Sequence, residues 1–188
     1  MHTPTEHFII NNQESPLTMT DFWSWAYSDL TNNIYRSVLA EYIVSTAINA
    51  VQPCRVMWQP YDLLTESGIR IEVKSAAYVQ SWECRHPDHI SFRIAPAQMP
   101  DPNDGYSDDA PKQRNCDIYV FCIYTALTTS ESPLNLDLWD FYVLPTEVLD
   151  REIPTQKTIS LPSLLRFAPV KCQYRELKAA IDNAFKAP

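Results

Sequence analysis

One segment near the middle of the chain, residues 117–124, consists almost entirely of apolar side chains, in the sequence DIYVFCIY. A strand with one face in water alternates apolar and polar residues, whereas an unbroken apolar run is typical of a strand covered on both faces. The sequence therefore predicts a central β-strand between two covering layers. Because helical patterns precede and follow the strand patterns, we expect an α/β protein with a mixed central β-sheet flanked by helices.

The other segments supply the remaining elements of this expected architecture. Helices are predicted at 31–49, 145–149 and 174–185. Strands are predicted at 55–60, 69–73, 90–94 and 138–144. An aromatic segment at 21–28 is expected to form a helix or turn that packs on the core, and residues 1–20 are expected to be irregular. Residues 21–188 then form one domain, as the chain length also indicates.

The segment from Asp62 to Lys74 predicts a β-hairpin that carries charged side chains. A turn-forming TESG sequence separates two short runs, and the second run alternates apolar and polar residues. A hairpin centred on this turn places Asp62 opposite Glu72, with Lys74 on the same face two residues further along. The apolar residues beside them, Ile71 and Val73, then point the other way into a core.

Two carboxylates held opposite each other on a sheet repel by roughly 4 kcal/mol at about 4 Å and an effective dielectric near 20. A fold keeps such a pair when a proton, a lysine or a cation neutralises it. Mg²⁺ suits the site, because it binds one or two carboxylates and keeps waters that a substrate phosphate can replace. The ammonium of Lys74 can orient the attacking water or stabilise developing charge. These groups indicate metal-assisted hydrolysis of a phosphodiester.

Asp62, nine further residues and then Glu72-Val73-Lys74 resemble the PD-(D/E)XK signature of restriction-endonuclease-like nucleases, although Tyr61 interrupts the proline–aspartate pair. The resemblance implies a restriction-endonuclease-like fold and an endonuclease that hydrolyses DNA with Mg²⁺ or Mn²⁺. It also implies that Asp62, Glu72 and the backbone carbonyl of Val73 hold the metal. Lys74 would act beside them as a catalytic residue.

The helix predicted at 31–49 supplies a third acid, Glu41. Its N-cap is expected at Thr31, Asn32 or Asn33. At about 100° per residue, Glu41 falls in the middle of a mainly apolar stripe made by Ile34, Val38, Ser45 and Ile48. An unpaired charge is costly there, so two interpretations stay open. Glu41 pairs with an arginine or tyrosine of the core, or it points at the metal site, as a first-helix glutamate often does in the nuclease family.

Polar and aromatic residues that follow the Glu-Val-Lys triplet are candidates for substrate binding. Gln80 is expected to contact a base edge or to position the attacking water, and Tyr78 to stack on a base. Ser75 lies directly after Lys74 and is the third candidate. The cluster Cys84, His86, Asp88 and His89 contains zinc-ligand residue types, but its spacing lacks two separated ligand pairs and favours a polar loop.

The net charge of −8 argues against indiscriminate coating of nucleic acid. Four aspartates lie in the proline-rich segment 96–111, which accounts for half of the excess negative charge and is expected to form a long loop, a lid or a disordered stretch. The basic residues near the site are candidates for phosphate contacts, although a solvated surface role is favoured for most of them. They are Arg70, Lys74, Arg85, Arg93, Lys112 and Arg114.

Several function classes are excluded or left open by composition. The sequence contains only two glycines, Gly68 and Gly105, and this excludes a phosphate-binding glycine loop. Five irregularly spaced cysteines make a disulfide framework unlikely, and Cys122 fits a buried free thiol.

Without a long apolar run, we expect a soluble cytoplasmic protein. A catalytically inactive binding module of the same fold stays an alternative, as does a homodimer or a nuclease subunit with a DNA-reading partner.

Overall fold

The computed structural model describes residues 1–56, 59–80, 83–84, 89–98 and 111–186. The strands are β1 (His7–Ile10), β2 (Gln13–Thr18), β3 (Leu63–Leu64), β4 (Arg70–Ala77), β5 (Val79–Gln80), β6 (Glu83–Cys84), β7 (Ser91–Arg93), β8 (Ile118–Tyr124), β9 (Trp139–Pro145), β10 (Thr158–Ser160) and β11 (Val170–Cys172). The helices are α1 (Met19–Tyr27), α2 (Asn33–Ala47), α3 (Thr146–Glu152), α4 (Leu161–Leu165) and α5 (Leu177–Lys186). Within these ranges, no helix has the length and apolar character needed to cross a membrane.

A five-stranded mixed sheet forms the centre of the protein, in the order β11–β9–β8–β4–β3. The β4–β8 pair is parallel and the other pairs are antiparallel. Every residue of β8 is buried, because this strand lies between β4 and β9 and both of its faces are covered. The sequence prediction of a central, doubly covered strand and of a mixed α/β architecture is therefore confirmed.

Each face of the sheet packs against its own layer. Residues 71, 73 and 77 of β4 join a core with α2 and α5, which also contains Val120 and Cys122 of β8. Ala76 of β4 and Phe121 of β8 point to the opposite core, which is closed by the β7–β10 ribbon, α3 and α4. Alternation along β4 thus assigns Glu72 and Lys74 to the face opposite α2.

The predicted helices begin and end close to their observed bounds. Asn32 caps α2, since its side-chain oxygen accepts a hydrogen bond from the Ile34 N–H at 3.0 Å. A short 3₁₀ turn, Tyr174–Glu176, precedes α5, so the predicted C-terminal helix is present in two pieces. Four cysteines whose side chains are described are free thiols, and Cys122 is fully buried as predicted.

The N-terminal segment differs from its prediction. Residues 1–20 are not irregular throughout, because β1 and β2 form an antiparallel ribbon. Asn11 and Asn12 both adopt positive φ angles, 52° and 61°, which supply the tight turn that the sequence reading missed. The predicted helix at 21–28 exists as α1, but none of its residues is buried, so it does not pack on the core.

The predicted strand at 55–60 is also wrong. Its described residues, 55–56 and 59–60, lie outside any strand and belong to the connection between α2 and β3. Three of these described residues, Arg55, Val56 and Gln59, line a pocket that is described below. The acidic loop of 96–111 and the CRHPDH cluster fall mostly outside the described residues.

Candidate active site

The β3–β4 hairpin positions the candidate acids, and its turn follows from local chemistry. The Thr65 hydroxyl accepts a hydrogen bond from the Ile69 N–H at 2.9 Å, and Gly68 adopts a φ of 86° that favours glycine. The ladder pairs Leu63 with Ile71 and Leu64 with Arg70. This is the predicted register, which aligns position 62 with position 72.

Asp62 lies one residue beyond the last ladder pair, at the open edge of β4. Its backbone N–H donates to the Ile71 carbonyl at 3.0 Å, and its carboxylate accepts a hydrogen bond from the Val73 N–H at 2.8 Å. The N–H and C=O of one strand residue point to the same edge of a sheet. The carbonyl of Val73 therefore faces the edge where the Asp62 carboxylate lies.

Burial and nearby charges shift the pKa of Asp62. Burial raises the pKa of its carboxyl, the charges of Glu72 and then Glu41 raise it further, and the pKa reaches about 7. Lys74 and the Val73 N–H act in the opposite direction without cancelling these effects. The pKa of Asp62 therefore responds to the charges of Glu72, Glu41 and Lys74, while the gathering of these residues around one metal ion stays a prediction.

Glu72 and Lys74 form an ion pair on the face opposite α2, with both side chains half-buried. The neighbouring strand places Tyr119 beside Glu72 in the parallel register. The same negative charge, after burial, helps to raise the pKa of Cys116 to about 12, so this thiol stays protonated. Lys74 therefore neutralises Glu72 in this structure, and its ammonium is close to the acids as predicted.

Glu41 forms an ion pair with Arg55, a partner that the sequence analysis did not predict. The guanidinium of Arg55 binds its carboxylate through two hydrogen bonds, of 2.5 and 2.7 Å. The ion-pair interpretation is thus confirmed, although Arg55 is 41% exposed and lies in the α2–β3 connection rather than in the core. Because the charge of Glu41 still acts on Asp62, a role at the same site stays a prediction.

The predicted position of Glu41 within α2 needs correction. Ile34, which was expected to flank it in an apolar stripe, is 64% exposed. The buried side of α2 contains Arg36, Ala40, Ile43, Val44 and Ser45. Glu41 therefore lies at the border of the buried face, because the helix is rotated relative to the stripe inferred from the sequence.

Of the three substrate-binding candidates, Ser75 lies on the other face of β4 from Glu72 and Lys74, and Tyr78 and Gln80 follow the end of β4. Ser75 points to the α2 side of the sheet, where its hydroxyl accepts a hydrogen bond from Arg36 Nε at 3.3 Å. Tyr78 lies one residue beyond the end of β4, and burial and then the charge of Asp140 raise its pKa. Gln80 is buried in β5. Strand alternation accounts for the position of Ser75, while substrate binding by Tyr78 and Gln80 stays a prediction.

Two arginines proposed for phosphate contacts have structural partners instead. The guanidinium of Arg70 binds Asp117 through contacts of 3.0 and 2.5 Å. The Arg114 side chain is completely buried, and it donates to Asp150 and to backbone carbonyls including those of Ile94 and Ile153. Lys112 and Arg93 are exposed and remain candidates, while Arg85 lies outside the described residues.

A pocket of about 340 Å³ lies between α2 and the α2–β3 connection, and Asp62 is among its lining residues. Glu41 and Arg55 also line it, so the pocket is continuous with the cluster of acids. The sequence reading missed this pocket, since its walls come from segments that only the tertiary structure brings together. The pocket therefore provides space for a ligand beside Asp62.

No protein-family model matches the chain, and neither does any curated protein. The functional conclusion therefore depends on the chemistry of the residues around Asp62.

The donor set of this site fits a hard cation in composition. Among the described residues, no set of three or more His, Cys, Asp or Glu side chains is gathered to hold a metal ion, and both glutamates are engaged in ion pairs. However, among the described residues Lys74 and Arg55 form ion pairs only with the two glutamates, and the pKa of the buried Asp62 is raised first by burial and then by the charges of Glu72 and Glu41. A divalent cation bound by carboxylate and carbonyl oxygens would relieve this repulsion.

Proposed function

We propose that this protein is a Mg²⁺- or Mn²⁺-dependent endonuclease of restriction-endonuclease-like fold that hydrolyses phosphodiester bonds of DNA. The observation that carries the proposal is the buried carboxyl of Asp62, whose pKa is raised by Glu72 and Glu41 at an edge that also presents the Val73 carbonyl. Carboxyl groups with strongly shifted pKa values cluster at functional sites, and this supports a cation-binding role for Asp62.

Asp62, Glu72 and the Val73 carbonyl would hold the cation in this proposal. When bound, Mg²⁺ supplies positive charge to the phosphate and lowers the pKa of water. The Val73 N–H fixes the carboxylate of Asp62 in place, so this ligand needs no rearrangement. Glu72 must exchange its present partner, Lys74, for the cation.

Lys74 gains a second role once Glu72 is engaged elsewhere. Its ammonium then donates a hydrogen bond to the attacking water or to the phosphate oxygen on which charge develops. The attacking water gives up one proton to bulk water as its oxygen forms a bond to phosphorus. The bond from phosphorus to the leaving sugar oxygen breaks, and that oxygen takes up a proton from bulk water. The products are a phosphate monoester and a free hydroxyl. Arg55 meanwhile holds the side chain of Glu41 through two hydrogen bonds.

The choice of DNA rests on the resemblance of the Asp62 and Glu72-Val73-Lys74 spacing, since the site chemistry alone specifies only a phosphodiester. The net charge of −8 supports a small contact area around the scissile phosphate rather than an extended basic groove. A partner subunit or a second copy of the chain would then supply further contacts to the duplex.

One observation favours a second candidate function. Glu72 and Glu41 both have cationic partners, so the cluster can also be read as a closed set of ion pairs in a non-catalytic binding module. The nuclease is favoured because Asp62, unlike Glu72 and Glu41, has no ion-pair partner among the described residues, which leaves its carboxyl available to a cation.

Incubation of plasmid and single-stranded DNA with Mg²⁺, Mn²⁺ or EDTA tests the proposal. Wild-type protein is expected to cleave DNA only with a divalent ion. Lys74→Ala is expected to lose at least about a hundredfold in rate while keeping its circular dichroism spectrum. Lys178→Ala is the matched control, because Lys178 forms an exposed pair with Asp182 on α5. Equal cleavage by Lys74→Ala and Lys178→Ala would overturn the assignment.

A further inference from the structure

The rim of the pocket beside Asp62 contains apolar side chains that are unusually exposed. Four of its lining residues, Tyr42, Val51, Val56 and Leu64, are between 44% and 58% exposed. Exposed apolar side chains gathered around one concavity mark a binding site more often than scattered ones do. The volume of about 340 Å³ lies at the lower end of small-molecule sites, which suits one small ring system and excludes a duplex.

The charges of the pocket select against an anionic occupant. Glu41, Arg55 and Asp62 are the charged groups among its described lining residues. Glu41 and Arg55 neutralise each other through two hydrogen bonds, which leaves Asp62 as the remaining charge. A phosphate or carboxylate in this pocket would therefore find no net positive charge, and an ionised Asp62 would repel it. A neutral, flat ligand with apolar faces is the better complement.

Groups that recognise a heterocycle are also present in the pocket. Tyr42 presents an aromatic ring at the rim, and the planar guanidinium of Arg55 can stack while it holds Glu41. Gln52 and Gln59 are exposed at the same rim, where each amide offers a donor and an acceptor to a base edge. These are the contacts that proteins use to bind an unstacked base.

The position of Asp62 connects the pocket to the cleavage site. This residue lines the pocket, and its carboxylate also lies at the β4 edge beside Val73. A nucleotide whose phosphate lies at that edge would carry its base within reach of the pocket. The pocket and the acids can thus bind two parts of one nucleotide.

We propose that the pocket receives one unpaired base of the substrate strand, next to the phosphate that is cleaved. This inference rests on the proposed nuclease function and makes its substrate class specific: single-stranded nucleic acid, or duplex with unpaired nucleotides. A fully paired duplex must extrude a base to fill the pocket, which costs a few kcal/mol. Single strands are therefore the preferred ligands.

Binding of 2-aminopurine oligonucleotides tests the proposal directly. The full chain carrying Lys74→Ala is titrated, in Mg²⁺, into a single strand and into its perfect duplex. Single-strand binding should be at least about tenfold tighter and should change the 2-aminopurine fluorescence. Added Tyr42→Ala or Val56→Trp should weaken single-strand binding about tenfold, by removing a stacking partner or filling the pocket.

Matched controls use exposed residues remote from the pocket. Tyr27→Ala removes an exposed tyrosine of α1, and Val170→Trp adds an indole at the exposed valine of β11. Both should bind the single strand as the parent does. Equal affinities for the pocket and control variants, or for single strand and duplex, would overturn the base pocket. If Val56→Trp does not fold, the comparison of Tyr42→Ala with Tyr27→Ala still decides whether the pocket binds a base.

Failure of this inference and failure of the nuclease assignment give different results. Cleavage that requires Lys74 but is unaffected by Tyr42→Ala and Val56→Trp would retain the nuclease and reject the base pocket. Pocket-dependent binding of single strands without cleavage of any DNA would retain the pocket and reject the nuclease, in favour of a nucleic-acid-binding module.

Discussion

The carboxylate of Asp62 accepts a hydrogen bond from the backbone N–H of Val73 at 2.8 Å, beyond the last pair of the β3–β4 ladder. This contact holds the acid at the open edge of β4, close enough to Glu72 and Glu41 for their charges to raise its pKa. The hydrogen bond lowers that pKa but does not offset burial and repulsion. The fold thus maintains a carboxyl that is poorly stabilised without a cation.

The raised pKa of Asp62 makes folding stability depend on pH. Because the folded pKa is about 7 and the ordinary pKa of an aspartate is 3.8, the folded state holds this proton more tightly than the unfolded state. The resulting stabilisation is complete below about pH 4 and is lost as pH rises through about 7, a change on the order of 4 kcal/mol.

Asp62→Asn should remove this pH dependence, since its amide oxygen can still accept from the Val73 N–H while carrying no charge. Urea unfolding in EDTA at about pH 5 and about pH 8 measures the effect. Relative to the variant, wild-type protein should lose stability between the two conditions. Parallel pH profiles for the two proteins would contradict the electrostatic account of Asp62.

Two substitutions should move the pKa of Asp62 in opposite directions. Glu41→Gln removes a charge that raises this pKa, so the pKa should fall, whereas Lys74→Met removes a charge that lowers it, so the pKa should rise. Carboxyl carbon chemical shifts, followed by NMR during a pH titration, report both changes. Glu147→Gln, an exposed substitution on α3, is the control and should have no effect. Shifts of the same sign in both variants would refute the proposed convergence of charges.

Arg114→Met should destabilise the fold by about 3 kcal/mol, because several backbone carbonyls lose a buried donor together. Its exposed counterpart Arg93→Met, on β7, should change the free energy of unfolding by no more than about 0.5 kcal/mol. Chemical denaturation of both variants measures the difference. Similar small effects would mean that Arg114 does not tie the segment before β8 to the α3–β10 connection.

Local patterns predicted much of the central sheet. The apolar run of β8 could be assigned to a doubly covered strand because burial on both faces leaves no polar alternation. The hairpin register followed from the turn sequence, since Thr65 and Gly68 form the turn through nearby contacts. Asn32 was among the expected caps of α2 for the same reason, as capping is a local interaction.

Features that depend on distant contacts were missed or misplaced. The partner of Glu41, Arg55, comes from an irregular connection, which no periodic pattern identifies. The rotation of α2 depends on which side chains the sheet accepts, so Ile34 is exposed and the charged Arg36 is buried. Ser75 was grouped with Lys74 from sequence proximity, although strand alternation places it on the other face. The pocket beside Asp62 is formed only by tertiary packing.

Calorimetric titration of wild-type protein and Asp62→Asn with Mg²⁺ or Mn²⁺ tests the central claim most directly. Because a cation must displace the proton from Asp62, binding to wild type should tighten as pH rises through about 7 and should be lost in the variant. Absence of uptake by folded wild-type protein above that pH, or equal uptake by Asp62→Asn, would contradict the metal site and leave the acids as a closed cluster of ion pairs.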